Sequence, residues 1–140
     1  MRKTKAEAQK TRELLLQTAL DTFLEHGVSK TTLQTIAKNA GVTRGALYWH
    51  FKNKEDLLGT LLQQCFDSFQ SSFSDDPDTL APLCQALKNL FTHLQHNNQQ
   101  RKLCIILNLK CEHTEENRAI TELHRRYIDL WRQRFHNLLQ

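Results

Sequence analysis

Apolar residues recur at steps of three and four along almost the whole chain, and no stretch sustains the two-residue alternation of a half-buried strand. The first stripe, Leu16, Ala19, Leu20, Phe23 and Leu24, predicts a helix from about Gln9 to His26, stopped by Gly27. A second helix is expected from Thr31 or Thr32, because Thr31 and Gln34 have the spacing of a capping box. A later helix should start at the Asn53 cap, with Glu55 and Asp56 at its positive dipole end. It carries Leu58, Leu61, Leu62, Cys65, Phe66, Phe69 and Phe73. Asp75-Asp76-Pro77-Asp78 breaks that pattern, and Leu80, Leu83, Cys84, Leu87, Leu90, Phe91 and Leu94 form the next stripe. The polar run His96 to Gln100 reads as a loop, and Leu103 to about Cys111 as a helix apolar on nearly all sides and therefore buried. A last helix starts near Glu115 and carries Ile120, Leu123, Tyr127, Trp131, Phe135 and Leu138, a pattern still running at Gln140. The chain is expected to be all-α.

The segment Leu33 to Leu57 is the most specific stretch. Ile36, Ala37 and Ala40 share one side of a short helix, and Gly41 supplies the positive φ of a tight turn. Val42 returns to the core, and Thr43 caps a new helix carrying Ala46 and Leu47 inward. This is helix-turn-helix spacing, whose second helix enters the DNA major groove. That helix, Thr43 to about His50, turns Thr43, Arg44, Gly45, Tyr48, Trp49 and His50 outward. Arg44, near the helix N-terminus, suits a bidentate contact to guanine; Tyr48 and His50 can donate to phosphates. Lys52 and Lys54 flank the next helix start, beside another positive dipole end.

Charge sharpens this picture. Residues 1–54 carry ten Lys/Arg against four Asp/Glu, whereas residues 55–140 carry nine against eleven. A basic head on a mildly acidic body attracts a polyanion, nucleic acid above all. A length of 140 residues allows one compact domain or a small domain with a helical extension, and four glycines with two prolines argue against a hairpin-rich β fold. The four cysteines, at 65, 84, 104 and 111, form no CxxC pair and read as buried free thiols of a reducing compartment. No signal-peptide core or membrane-length apolar run is present, so a soluble cytoplasmic product is expected. No nucleophile motif or phosphate-cradling glycine loop is present, which speaks against an enzyme and against a cofactor.

Thr11 to Leu62 resembles the DNA-binding domain of the TetR family of bacterial transcriptional repressors. The carrying residues are Ala19-Leu20-Asp21-Thr22-Phe23, Gly27-Val28-Ser29-Lys30-Thr31-Thr32, Ile36-Ala37, Ala40-Gly41-Val42 and Gly45-Ala46-Leu47-Tyr48-Trp49-His50-Phe51-Lys52-Asn53-Lys54. Arg2-Lys3-Thr4-Lys5 and Leu109-Lys110-Cys111-Glu112 resemble the Acr/Mtr-type subgroup that represses multidrug-efflux genes. The resemblance implies a helix-turn-helix domain over 1–53 and a helical effector-binding domain over 54–140. It implies a homodimer on a palindromic operator, released when a small molecule moves the fourth helix. Thr32, Thr43, Arg44, Gly45, Tyr48, Trp49 and His50 would face the operator, joined by Lys30, Thr31 and Lys52, with Lys54 on a phosphate. Family members continue for several more helices, the last two forming the dimer interface, so the chain reads as shortened at its C-terminus. The alternative reading is an interaction module that pairs with a partner or with a full-length repressor subunit.

An effector pocket is expected among the later helices, since drug-type ligands prefer apolar cavities with a few polar groups. Its candidates are Phe66, Asp67, Phe69, Phe91, Cys104, Leu107, Cys111, Tyr127 and Trp131. The effector would be hydrophobic, and Asp67 could pair with a cationic drug. By resemblance, Trp131 matches a tryptophan near the pocket of Mtr-type repressors. Cys111, His113 and His124 have no known zinc-ligand spacing, so no metal is expected. Cys104 and Cys111, two turns apart, raise a redox-sensing thiol as a further possibility.

Overall fold

The computed structural model describes residues 4–71, 81–96 and 98–140, without the side chains of Phe69, Pro82, Leu83, Ala86, His93 and Leu138. The Asp75–Asp78 break, Phe73, Leu80 and the leading Arg2-Lys3 lie outside the described residues, as do the side chains of Leu83 and Leu138 in their stripes. Seven α-helices run through the described residues: α1 (Lys5–His26), α2 (Leu33–Ala40), α3 (Arg44–His50), α4 (Lys54–Gln70), α5 (Ala81–His96), α6 (Asn98–Ile105) and α7 (Arg118–Leu138). A π turn, Ile106–Lys110, follows α6 directly.

α1 begins four residues earlier than its apolar stripe suggested. Thr4 and Glu7 form a reciprocal capping box there, the Glu7 amide donating to Thr4 Oγ1 at 3.2 Å and the Thr4 amide to Glu7 Oε2 at 2.8 Å. Gly27 ends the helix at φ 82°. The second cap sits one residue later than the Thr31–Gln34 pairing predicted. Thr32 accepts from the Thr35 amide at 3.1 Å, while Thr31 is buried and its hydroxyl donates to the Gly27 carbonyl at 2.7 Å. Burial decides the choice, since a hydroxyl sealed from water must be bonded locally. Gly41 closes α2 in the left-handed region (φ 68°, ψ 28°), Thr43 caps α3 through the Ala46 amide at 3.1 Å, and Asn53 caps α4 through the Asp56 amide at 2.8 Å.

One hydrophobic core joins the head to the helices that follow. Leu15, Leu20 and Phe23 of α1 meet Ile36, Leu47 and Phe51, then Leu57, Leu58 and Leu61 of α4, and finally Leu103, Ile106 and Ile120. Full burial of each such side chain stabilises by about 1.5–3 kcal/mol relative to exposure. α1 thus packs on α2 along one side and on α6 and the π turn along another, while α4 leans on α7.

Three expectations in the second half are corrected. The polar run after His96 is helical from Asn98, not a loop, because its amides find tertiary partners: Gln99 bonds Gln17 at 3.1 Å and Gln64 at 3.4 Å, and Gln100 is buried. The Leu103–Cys111 segment is one-sided rather than enclosed. Leu103, Ile106 and Leu107 face inward, but Cys104 and Asn108 are exposed and Leu109 is 77% exposed. The cysteines are all free thiols, but only Cys111 is buried; Cys65 is half-buried, and Cys84 and Cys104 are exposed. The π turn separates Cys104 from Cys111, so they do not sit two regular turns apart on one helix.

Candidate nucleic-acid interface and ligand pocket

α3 is a two-turn helix held by its inner side, with Leu47 and the following Phe51 fully buried. That anchoring frees the opposite side. Thr43, Arg44 and Gly45 are exposed, Tyr48 is 44% exposed and Trp49 is 74% exposed. Exposing two large aromatics on a short basic helix has a desolvation cost that a partner surface recovers. Arg44 stacks over the Tyr48 ring at 5.4 Å, so its guanidinium is already oriented beside the phenol. Trp49 meets the half-buried His50 edge-on at 4.7 Å. No Cβ-filling atom lies near Gly45, which leaves open backbone between Arg44 and Tyr48. Lys30, Thr32 and Lys52 are exposed around the same head.

Two expected contact residues are placed differently. Thr31 is 1% exposed and bonded inward, so it offers nothing to an outside ligand. Lys54 does not project outward as a phosphate contact would; its ammonium donates to the Val28 carbonyl at 2.9 Å and lies 3.5 Å from Glu116. Arg12 was not found from sequence. Its guanidinium donates to the His50 carbonyl at 3.1 Å and covers the Phe51 ring at 4.5 Å, tying the end of α3 to α1. A contact across that distance in the chain leaves no local pattern to read.

The loop after α1 is clasped by the segment between the π turn and α7. The Val28 amide donates to the Lys110 carbonyl at 2.9 Å and the Ser29 amide to Glu112 Oε2 at 3.2 Å. Asn117, fully buried, donates through Nδ2 to Ser29 Oγ at 2.8 Å and to the Glu112 carbonyl at 2.9 Å. Hydrogen bonds from its own backbone and from the Ser29 side chain hold the Glu112 carboxyl below its ordinary pKa.

Behind the head, α4, α5, α6 and α7 enclose an apolar pocket of about 340 Å³. Of the expected residues it gathers Phe66, Cys104, Leu107, Tyr127 and Trp131. Phe66 packs on Tyr127 at 5.3 Å and on Trp131 at 6.3 Å between ring centroids. The Tyr127 hydroxyl donates to the Gln63 side chain, which fixes α7 to α4 at the rim. Burial raises the Cys104 pKa, and it pushes that of Cys65 up to about 11 with help from Cys104, so neither pocket thiol ionises near neutrality.

Other expected lining residues lie elsewhere. Asp67 is exposed, accepts from Gln63 Nε2 at 2.7 Å and does not line the pocket, since it occupies the outer side of α4. Phe91 is 63% exposed on the outer side of α5, and the Phe69 side chain lies outside the described residues. Cys84 and Leu87 of the same expected stripe are exposed too; Leu90 and Leu94 are the α5 residues that line the pocket. Cys111 lines a second, polar cleft of about 580 Å³ with His113, Arg118, Glu122 and Arg125. The two cavities share Leu107, Asn108, His124 and Ile128. Sequence reasoning missed this arrangement, although positions 118, 122 and 125 do form a polar stripe at helical spacing. Among the described residues no group of three His, Cys, Asp or Glu is placed to hold a metal ion, and no helix is long and apolar enough to cross a membrane.

Residues 15–61 match the model of bacterial regulatory proteins of the tetR family. The chain is 39% identical over 121 residues to the HTH-type transcriptional regulator TtgR of Pseudomonas putida, covering 83% of this chain and 58% of that protein. Among solved structures it resembles NalD, the secondary repressor of the MexAB-OprM multidrug efflux pump in Pseudomonas aeruginosa. The TM-score is 0.75 at 38% identity, over 89% of this chain and 64% of NalD. SmeT, the repressor of the Stenotrophomonas maltophilia efflux pump SmeDEF, matches at 32% identity. Its triclosan complex gives a TM-score of 0.78, and in another structure of it this chain covers 67% of SmeT. The chain spans about three fifths of the length of the curated relatives it matches.

Proposed function

The chain belongs to the TetR family of bacterial regulatory proteins, and on that premise we propose that it is a DNA-binding repressor of drug-efflux genes, released from a palindromic operator by a hydrophobic small molecule. The observation that carries this reading is the exposed face of α3. Thr43, Arg44, Gly45, Tyr48 and Trp49 stand free on a helix whose other face is locked into the core. A rigid helix with an arginine near its N-terminus is suited to the major groove, where guanine presents two acceptors to a guanidinium. The repressor names of NalD and SmeT support control of efflux genes, and the triclosan complex of SmeT supports an apolar effector in the pocket beside Phe66 and Trp131. The protein works as a cytoplasmic homodimer, since a helix-turn-helix pair reads half-sites about 34–36 Å apart, one DNA turn.

Selection from a randomised-duplex pool, run beside light scattering for molar mass, tests the proposal. Enrichment of a palindrome by a dimer is the expected result. Retention of DNA without sequence preference by a monomer would sink it and favour a module that pairs with another repressor subunit.

A further inference from the structure

The apolar pocket and the polar cleft are not independent cavities. Leu107 and Asn108 of the π turn and His124 and Ile128 of α7 line both, so a molecule seated against Phe66 and Trp131 has the cleft at its other end. α7 makes this junction by turning one stripe, Tyr127 and Trp131, to the apolar side and another, Arg118 and Arg125, to the polar side. The cleft is cationic in balance, two arginines against the single Glu122. That carboxylate lies 3.8 Å from Arg126 and is partly neutralised along its own helix. Arg118 lies 3.6 Å from Glu115, but Arg125 has no hydrogen bond or ion pair with any described residue. No acidic side chain lines the apolar pocket.

We infer that the effector is an amphipathic anion, its apolar body in the pocket and its carboxylate or similar head in the cleft on Arg125 and Arg118. This rests on the reading of the apolar pocket as the effector site and adds the ligand's charge and orientation. An anionic head cannot be buried against Phe66 or Trp131 without losing its hydration uncompensated. At the cleft it gains a guanidinium fork that binds carboxylates in bidentate fashion. Burial lowers the His124 pKa and keeps the ring neutral at the shared wall, where an imidazole N–H can donate to the head without adding charge.

Calorimetric titration with three probes of equal chain length, decanoate, 1-decanol and decyltrimethylammonium, separates the possibilities. Decanoate should bind about tenfold tighter than the alcohol and the cation weakest of all, tenfold being the scale of one charge-assisted contact. Arg125→Gln should remove most of decanoate's advantage and leave 1-decanol unchanged; Arg118→Gln should take a smaller share. Both arginines are exposed, so neither variant threatens folding. Equal affinity for decanoate and 1-decanol, a preference for the cation, or an equal loss for all three probes in Arg125→Gln would overturn the inference while leaving the pocket reading intact. Failure of all three probes to bind would overturn the pocket reading, and the inference with it.

Discussion

The Lys54 ammonium and the Val28 carbonyl oxygen are 2.9 Å apart, which places the first residue of α4 under the loop that joins α1 to α2. Lys54 is 18% exposed there and Glu116, its other neighbour, 66%. The two interactions should therefore contribute unequally. A charge-assisted bond to a carbonyl is worth about 1.5–3 kcal/mol, an exposed ion pair about 0–1 kcal/mol. Urea unfolding should show a clear loss for Lys54→Ala and almost none for Glu116→Gln. Comparable losses would mean that the ion pair, not the carbonyl, holds the lysine.

Asn117 should tolerate no carboxylate. Its Nδ2 donates twice, to Ser29 Oγ and the Glu112 carbonyl, while Oδ1 has no partner among the described residues. Asn117→Ala should cost about 1–3 kcal/mol by stranding those acceptors. Asn117→Asp should cost more, since it removes both donors and buries a charge. The reverse order in denaturation experiments would assign the role to Oδ1.

The two glycines at positive φ should respond differently to a methyl group. At Gly41 nothing lies within 4 Å of an added Cβ, so Gly41→Ala should cost only the left-handed strain of about 1 kcal/mol, and Gly41→Asn less. At Gly27 the Cβ would lie 2.9 Å from Glu112 Oε1 and 3.4 Å from the Lys110 carbonyl. Gly27→Ala should therefore be the more destabilising in thermal melts and should loosen the Ser29–Glu112 contact as well.

DNA affinity should sort the basic residues into two kinds. Arg44→Ala should weaken the selected site by about 1–3 kcal/mol and leave random duplex little changed. Lys52→Ala should weaken both alike and reduce the salt slope by about one. Fluorescence anisotropy on the two duplexes across a salt series measures both quantities. Equal losses for Arg44→Ala on both duplexes would remove it from base readout.

Thiol reactivity and alkaline stability follow from burial. Cys84 should alkylate first and Cys65 last, because burial holds the Cys65 proton to about pH 11 against 9.0 for a free thiol. Between those values the folded chain binds the proton that the unfolded chain has lost. Stability should thus be full below pH 9.0 and decline as pH rises towards about 11. Cys104, Cys111 and Tyr127 shift the same way, so Cys65→Ser should reduce the slope without abolishing it.

The reading head was legible because its determinants are local. Gly41, the Thr43 cap and the Ala46–Leu47 inner face lie within a few residues of one another, and each acts through backbone geometry that a short string specifies. The Thr31 error was one of degree: two adjacent threonines can both cap, and only burial of the first decides. The pocket was half legible. Phe66, Tyr127 and Trp131 were found from helical stripes, but the apolar stripe of α5 gave no sign that Phe91 would turn outward. Arg12, the Gln17–Gln99–Gln64 chain and the cleft around Arg125 depend on residues far apart in sequence, where no periodicity speaks.

The π turn at Ile106–Lys110 has a consequence for descent. Such a turn holds one residue more than an α-helix would in the same space. Deleting a single residue there would restore regular winding and rotate all that follows by about 100°. Leu107 and Asn108, which face both cavities, and the Lys110 carbonyl, which grips Val28, would change neighbours together. A lineage that gains or loses one codon at this point can alter what its members recognise, and how firmly the two halves are joined, while every base-reading side chain on α3 stays as it was.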